Sequence, residues 1–233
     1  MSKLTGWDSD TNRQTWLKKV LVKIPNGQRI LDAGAGQLRN KPLCSHLDYV
    51  SQDFCQYNGH GNNEALQTGS WDTSRIELVC DIIDIPEPDA SFDVILCSEV
   101  LEHIPDAVLA LKEFARLLKP GGILILTAPF ACLTHFAPYF YATGFSRHWY
   151  EYHLGKTGFE VIKLNANGNW YDCLLGEIRR IPYISRKYSS AFLGYIALLL
   201  ALPLIAVLRI LQRSDRGSKE LMTGGWHVIA KKQ

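Results

Sequence analysis

Two glycines and two aspartates in the first half of the chain have the residue types and intervals of a nucleoside site. In QRILDAGAG, Gly34 and Gly36 directly follow a short apolar run. A strand there feeds a turn where glycine permits a tight bend and close approach of a ligand. Asp53 lies about 20 residues beyond the first of them, the usual interval for a carboxylate that meets ribose hydroxyls. Asp81, in CDIIDIP, ends a third apolar run, where a carboxylate can accept a hydrogen bond from an exocyclic amino group. Three such positions at the carboxyl ends of successive strands make the crevice in which open α/β sheets bind nucleosides. Each residue alone has a plainer reading, because a glycine can merely end a strand and an aspartate can merely make a turn. A dinucleotide fingerprint would need a third glycine at position 39, where Arg39 stands instead, which argues against NAD.

Those residues need a frame, and the apolar pattern supplies one. Thr11 to Lys23 has helical spacing and is closed by Pro25-Asn26-Gly27. LDYVSQDF, IELVCDI, SFDVILCSEV and GILILTAPF read as strands that are apolar throughout, and the polar stretch from Gln56 to Ser74 reads as a loop. Pro105 to Leu118 is a helix by spacing, with Pro120-Gly121-Gly122 as its stop. Continuous apolar strands alternating with helices predict an α/β doubly wound sheet covered on both faces. GFEVIKL and GWHVIAKK are the sixth and seventh strands.

ILDAGAG, CDIIDIPEPDASFDVILCSEVLEHIPD and LLKPGGILILTAPF together resemble the motifs of the class I S-adenosylmethionine-dependent methyltransferases. The likeness is to the methyltransferase type 11-like group that includes quinone-biosynthesis and glycan-cluster enzymes. It covers roughly residues 27–130 and the final strand. It implies a Rossmann-like, seven-stranded, mostly parallel sheet with the last strand antiparallel, and S-adenosylmethionine as cofactor. By position, Asp32, Gly34 and Gly36 would line the methionine end, with Asp32 near the amino group. Asp53 would hold the ribose, and Asp81 and the backbone of Ile82 would read the adenine. Cys97 and Ser98 would face the methionine portion. Glu102 and His103 read as groups that fix the loop and the cofactor wall rather than as acid–base groups, while Leu101 and Ile104 read as packed.

The acceptor side is expected after strand five and before strand six, where aromatic side chains, two histidines and an arginine crowd together. An aromatic satellite core is the bland reading of that stretch. The mixture of His and Arg with amphipathic rings favours a lid over residues 131–158. His135 is the first candidate base and His148 the second, with Tyr139, Tyr141, Arg147 and Trp149 as substrate-binding residues. No metal-ligand spacing occurs along the sequence, so metal-free chemistry is expected.

With 47% hydrophobic and 21% charged residues in 233, the chain has the composition of a folded protein and the length of one substantial domain. A net charge of +2 gives no field for nucleic acid. Six cysteines without paired spacing fit a reducing cytosol, and the N-terminal residues show no signal-peptide pattern. AFLGYIALLLALPLIAVLRIL, Ala191 to Leu211, has the length of a membrane span, and the segment from Arg179 to Lys219 that contains it carries eight basic residues against Asp215 alone. A single crossing between strands six and seven would separate two strands of one sheet. Pro203 breaks the run, and basic residues at both ends give it no direction. Residues 171–222 are therefore expected to be a helical insert making peripheral contact with the cytoplasmic membrane face, the alternative being a helix pair packed on the domain or in a homodimer interface. The reading that emerges is a methyltransferase for a hydrophobic acceptor, such as a lipid-linked saccharide or a polyprenyl quinone precursor. Its competitors are an NAD(P)-dependent reductase and a non-catalytic methyltransferase-like scaffold.

Overall fold

The computed structural model describes residues 8–233, which fall into two compact units. One comprises residues 15–165 and 225–233; the other comprises 166–224 with residues 8–14.

The larger unit is built on one seven-stranded sheet. Its strands are β1 (Arg29–Ala33), β2 (Asp48–Asp53), β3 (Leu78–Val79), β4 (Phe92–Ser98), β5 (Leu118–Ala128), β6 (Phe159–Ala166) and β7 (Trp226–Lys232), in the order β3-β2-β1-β4-β5-β7-β6. Pairing is parallel from β3 through β5, and β7 is antiparallel to β5, with Ile125 opposite Ile229. This is the doubly wound, Rossmann-like sheet expected from the apolar pattern and the family likeness. Leu31 of β1 lies between Val50 of β2 and Ile95 of β4, so the strand order reverses beside β1. β4 has Val94, Ile95, Leu96 and Cys97 buried in series, as a strand covered on both faces requires. On one face, Leu17 and Leu21 of α1 (Ser9–Leu21) pack with Ile30, Val94, Leu96 and Ile125. The other helices of this unit are α2 (Ala107–Leu117), capped by the Asp106 carboxylate on the backbone N–H groups of Val108 and Leu109, and α3 (Arg147–Lys156).

Three local features differ from the pattern-based expectation. Pro120-Gly121-Gly122 does not separate α2 from the next strand. β5 already begins at Leu118, which pairs with Phe92, while the next matched pair is Val94 with Ile123. The triplet is thus a bulge inside β5, allowed by Gly121 at φ +79°. β3, an edge strand, is only two residues long, with Val79 exposed. Between β1 and β2 no α-helix forms; the turn after Gly36 leads to a short 3₁₀ segment at Lys41–Cys44 with Pro42 near its start.

The smaller unit is helical: α4 (Trp170–Tyr188), α5 (Ala191–Leu200) and α6 (Leu202–Arg213). Asn169 and Asp172 form a reciprocal capping box at the start of α4. α5 and α6 meet at a 51° bend at Ala201, just before Pro203, and no single helix among the described residues is long and apolar enough to cross a membrane. Leu175 and Ile178 of α4 form a small core with Ile205 and Leu208 of α6.

Candidate functional site

The site grows from the glycine turn at the end of β1. The N–H groups of Gly34 and Ala35 donate to the Gln52 carbonyl at 2.9 and 2.8 Å, laying the turn across the end of β2. The Gly36 N–H donates to Asp53 Oδ2 at 2.9 Å, and the Cys55 N–H donates to Oδ1 at 2.9 Å. Asp53 therefore holds the turn to the strand, and each of its oxygens keeps a further lone pair for a ligand hydroxyl. Gly34 is required twice over. It sits at φ +75°, and an added Cβ would fall 2.5 Å from the Val100 side chain.

A cavity of about 480 Å³ opens at the carboxyl ends of β1, β2 and β4. That volume is within the ordinary range for small-molecule sites. Of the residues expected to hold a cofactor, Gly34, Asp53, Asp81 and Ile82 line it. Asp81 lies two residues past β3 and is exposed, with Oδ1 accepting from the Ile83 N–H at 3.2 Å. Asp32, Gly36, Cys97 and Ser98 lie outside the lining. Asp32 is buried and accepts from the Tyr49 hydroxyl at 2.7 Å. Burial pushes its carboxyl up to about 6, with the Tyr49 hydrogen bond opposing. Cys97 is wholly buried, which drives its thiol well above the usual range. Ser98 Oγ is 2.8 Å from Thr127 Oγ1, which donates to Glu99 Oε1 at 3.0 Å. This hydroxyl relay ends on Glu99, a cavity residue held at φ +58°, a conformation uncommon for a side chain of this kind and often found at functional sites.

Aromatic rings form the far wall. The loop at 56–74 is stitched to the segment after β5 by hydrogen bonds from the Leu66 N–H to the Thr134 carbonyl and from the Phe136 N–H to the Leu66 carbonyl. Phe136 stacks on Tyr57 at 4.4 Å on one side and on His103 at 5.0 Å on the other, with Trp71 edge-on at 5.1 Å. Tyr139 and Tyr141 also line the cavity. Arg147, His148 and Trp149 do not. Arg147 and His148 face Glu151 on the surface of α3, and Trp149 packs on Phe145 and His153.

His103, expected to fix the cofactor wall, lines the cavity. Its Nδ1 is 2.6 Å from the Tyr139 carbonyl, which as an acceptor fixes the proton on Nδ1 and leaves the lone pair on Nε2. Burial and the neighbouring His135 lower it to about 4, so the ring is neutral at pH 7. His135 lies edge-on to His103 at 4.7 Å, its Nδ1 2.9 Å from the Leu133 carbonyl, and it is outside the lining. With Glu102, these two histidines form a group whose potential ligand atoms lie within 4.8 Å of one another. The group has the donor types of a proton relay and equally of a divalent-cation site.

Residues 31–126 match the family model described as a methyltransferase domain. The match runs from β1 to β5 and takes in the cavity residues Gly34, Asp53, Asp81 and His103, over about two fifths of the chain. Among curated relatives, the chain is 31% identical over 134 residues to a demethylmenaquinone methyltransferase of Staphylococcus carnosus, covering 53% of each chain. It is 48% identical over 130 residues to the 27-O-demethylrifamycin SV methyltransferase of Amycolatopsis mediterranei, covering 52% of this chain and 48% of that one. The chain thus spans about half the length of the curated relatives it matches. Among solved structures, a phosphoethanolamine N-methyltransferase of Haemonchus contortus, in complex with S-adenosyl-L-methionine, superposes over 95% of this chain and 52% of its own with a TM-score of 0.52 at 20% identity. The [4+2]-cyclase SpnF superposes over 95% of this chain and 80% of its own with a TM-score of 0.55 at 17% identity. At these identities the methyltransferase sheet is what they share, and its chemistry is set by the residues placed on it.

Proposed function

We propose that the chain is an S-adenosylmethionine-dependent methyltransferase acting on an apolar, ring-bearing acceptor. The observation that carries it is the cavity beside β1, where Gly34, Asp53, Asp81 and Ile82 converge opposite Glu99 and His103. The residues suit the cofactor: Asp53 has acceptor capacity for ribose hydroxyls, Asp81 for an exocyclic amine, and Ile82 an apolar flank for a purine. When bound, the cofactor supplies an electrophilic methyl group on a sulfonium whose leaving group is neutral.

The chain's own task is then positioning and exclusion of water, to which the Phe136 wall is suited. For a hydroxyl acceptor a base is also needed. His103 lines the cavity with its Nε2 unprotonated and 3.8 Å from Glu102 Oε1, and His135 stands next to it as the second imidazole. The aromatic wall and the names of the relatives, which include demethylmenaquinone and 27-O-demethylrifamycin SV, support an acceptor with a ring rather than a small amine. A nicotinamide-dependent reductase is disfavoured because no α-helix follows the glycine turn, so no helix N-terminus is offered to a pyrophosphate.

The test is calorimetric binding of S-adenosylmethionine together with transfer of its radiolabelled methyl group to extracts of apolar metabolites. Asp53→Ala and Asp81→Ala should each weaken cofactor binding about tenfold or more, the loss expected for hydrogen bonds to a charged group. Unchanged affinity in both would refute the site, and tight binding with no label transferred to any extract would refute the enzyme in favour of a scaffold.

A further inference from the structure

We propose that α5 and α6 form a lipid-facing platform that lies in the plane of one leaflet of an anionic membrane, with α4 behind it at the level of the headgroups. This rests on the helical unit alone and not on the methyl-transfer reading.

The positions that face α4 recur at steps of four and three: Gly194, Leu198, Ala201, Ile205 and Leu208. These residues join Leu175 and Ile178 in the small core, while Gly194 lies against Ser185 and Pro182. The next position in the series is Gln212, which hydrogen-bonds to Asp172 at the start of α4. The bent pair therefore runs back along α4, antiparallel to it, and that seam uses up its inward face.

In a helix hairpin surrounded by water the remaining positions would be polar. Here Phe192, Leu199, Leu200 and Ile210 are 72%, 64%, 75% and 66% exposed, and no charged residue occurs between Ala191 and Leu208. α4 is different, since its outward positions include Glu177, Arg186 and Lys187. One side of the hairpin is thus apolar and the other charged, the asymmetry of an element lying in an interface rather than across it.

Length agrees. The 10 residues of α5 extend about 15 Å, half of a hydrocarbon core about 30 Å thick. The chain leaves the sheet at β6 and returns at the adjacent β7, so both ends of the insert belong on the same side. Arg186 and Lys187 precede the apolar face while Arg213 and Arg216 follow it, where anionic headgroups would meet them. A protein partner is the poorer occupant. Protein interfaces carry about one hydrogen bond per 100–200 Å², whereas from Ala191 to Leu208 the only side-chain polar group is the Tyr195 hydroxyl.

The experiment is flotation of the full chain with vesicles of phosphatidylcholine alone or mixed with phosphatidylglycerol. The protein should float with both and more completely with the mixed vesicles. Replacing the outward residues together, as L199S/L200S/I210S, should lower the bound fraction at least about tenfold, while thermal melting stays close to the parent because none of them is in the core. R186E/K187E/R213E should remove the preference for the anionic vesicles. Failure of the parent to float, or equal flotation of the serine variant, would overturn the proposal. So would a dimer that the same serines dissociate, without flotation of the parent, because the face would then be an interface between two copies. Trypsin added outside sealed vesicles should cut at both flanks, and protection of one flank alone would mean a span. No arm depends on methyl transfer, so failure here and failure of the catalytic reading are separate results.

Discussion

At the scale of single residues, the cavity sets two kinds of group against each other: acceptors that hold a ligand and an imidazole that can take a proton. Asp53 was legible because its task is local in sequence. It ends a strand at the interval from a glycine turn that a ribose carboxylate needs, and in the structure it grips that turn. His103 was not legible as a chemical residue, because it follows a glutamate in an apolar stretch whose pattern speaks of packing. What gives it a chemical face is a carbonyl 36 residues away, that of Tyr139, and a ring 32 residues away, that of His135. Sequence spacing carries no trace of either contact. If His103 accepts the acceptor's proton, His103→Gln should lower kcat about 10²-fold or more, the usual contribution of a general base, while the affinity for S-adenosylmethionine changes little. Single-turnover transfer of label and calorimetry measure the two quantities. A loss of binding as large as the loss of rate would make the ring a wall of the pocket and nothing more.

At the scale of elements, the long apolar strands were readable because burial on both faces leaves one pattern to follow, and α2 because its one buried face recurs at helical spacing. The exceptions have physical causes. Pro120-Gly121-Gly122 looks like a terminator, since these residues punctuate chains, yet the same backbone freedom lets Gly121 take up a bulge while pairing resumes at Ile123. The aromatic wall was half legible: residues 135–149 were expected at the acceptor side, but Tyr57 and Trp71 come from a polar loop that shows no periodicity. The glycine turn is the element on which the others lean, and it can be tested by crowding it. Gly34→Ala places a methyl group against Val100 and keeps a positive φ that alanine resists. It should destabilise the protein by about 1–3 kcal/mol and weaken cofactor binding, both measurable by urea denaturation with and without ligand. Adding Val100→Ala should relieve the steric part and leave the conformational part, so the double variant should recover only incompletely. Full recovery would mean that the backbone angle costs nothing.

For the molecule as a whole, two buried groups make opposing demands on its stability as pH changes. Asp32 has its carboxyl raised to about 6 by burial, from an ordinary value of 3.8. The folded state therefore holds a proton that the unfolded chain releases, so this contribution is complete below about 4 and is lost as pH rises through 6. His103 has its imidazole lowered to about 4 from 6.5, chiefly by burial. Here the unfolded chain binds the proton first, so the contribution is complete above about 6.5 and is lost as pH falls toward 4. Each shift is on the order of 3 kcal/mol at 1.36 kcal/mol per pKa unit, and the windows overlap with opposite sign. The slopes from these two sites should therefore nearly cancel between pH 4.5 and 6, leaving the parent protein's stability there to its other groups. Removing either site should expose the other. Asp32→Asn should give a protein that gains stability, relative to the parent, as pH rises across this range, and His103→Gln one that loses it. Urea unfolding of the three proteins at about pH 4.5, 5.25 and 6 decides the matter. Parallel pH profiles for all three would mean that neither burial perturbs its group. Asp32 lies outside the cavity lining and His103 on it, so a ligand that touches only His103 should tilt the parent profile in a single direction. Binding that keeps the imidazole neutral would lower its folded pKa further and steepen the loss of stability toward acid, whereas a ligand group that accepts a hydrogen bond from the Nε2–H of the imidazolium would do the reverse.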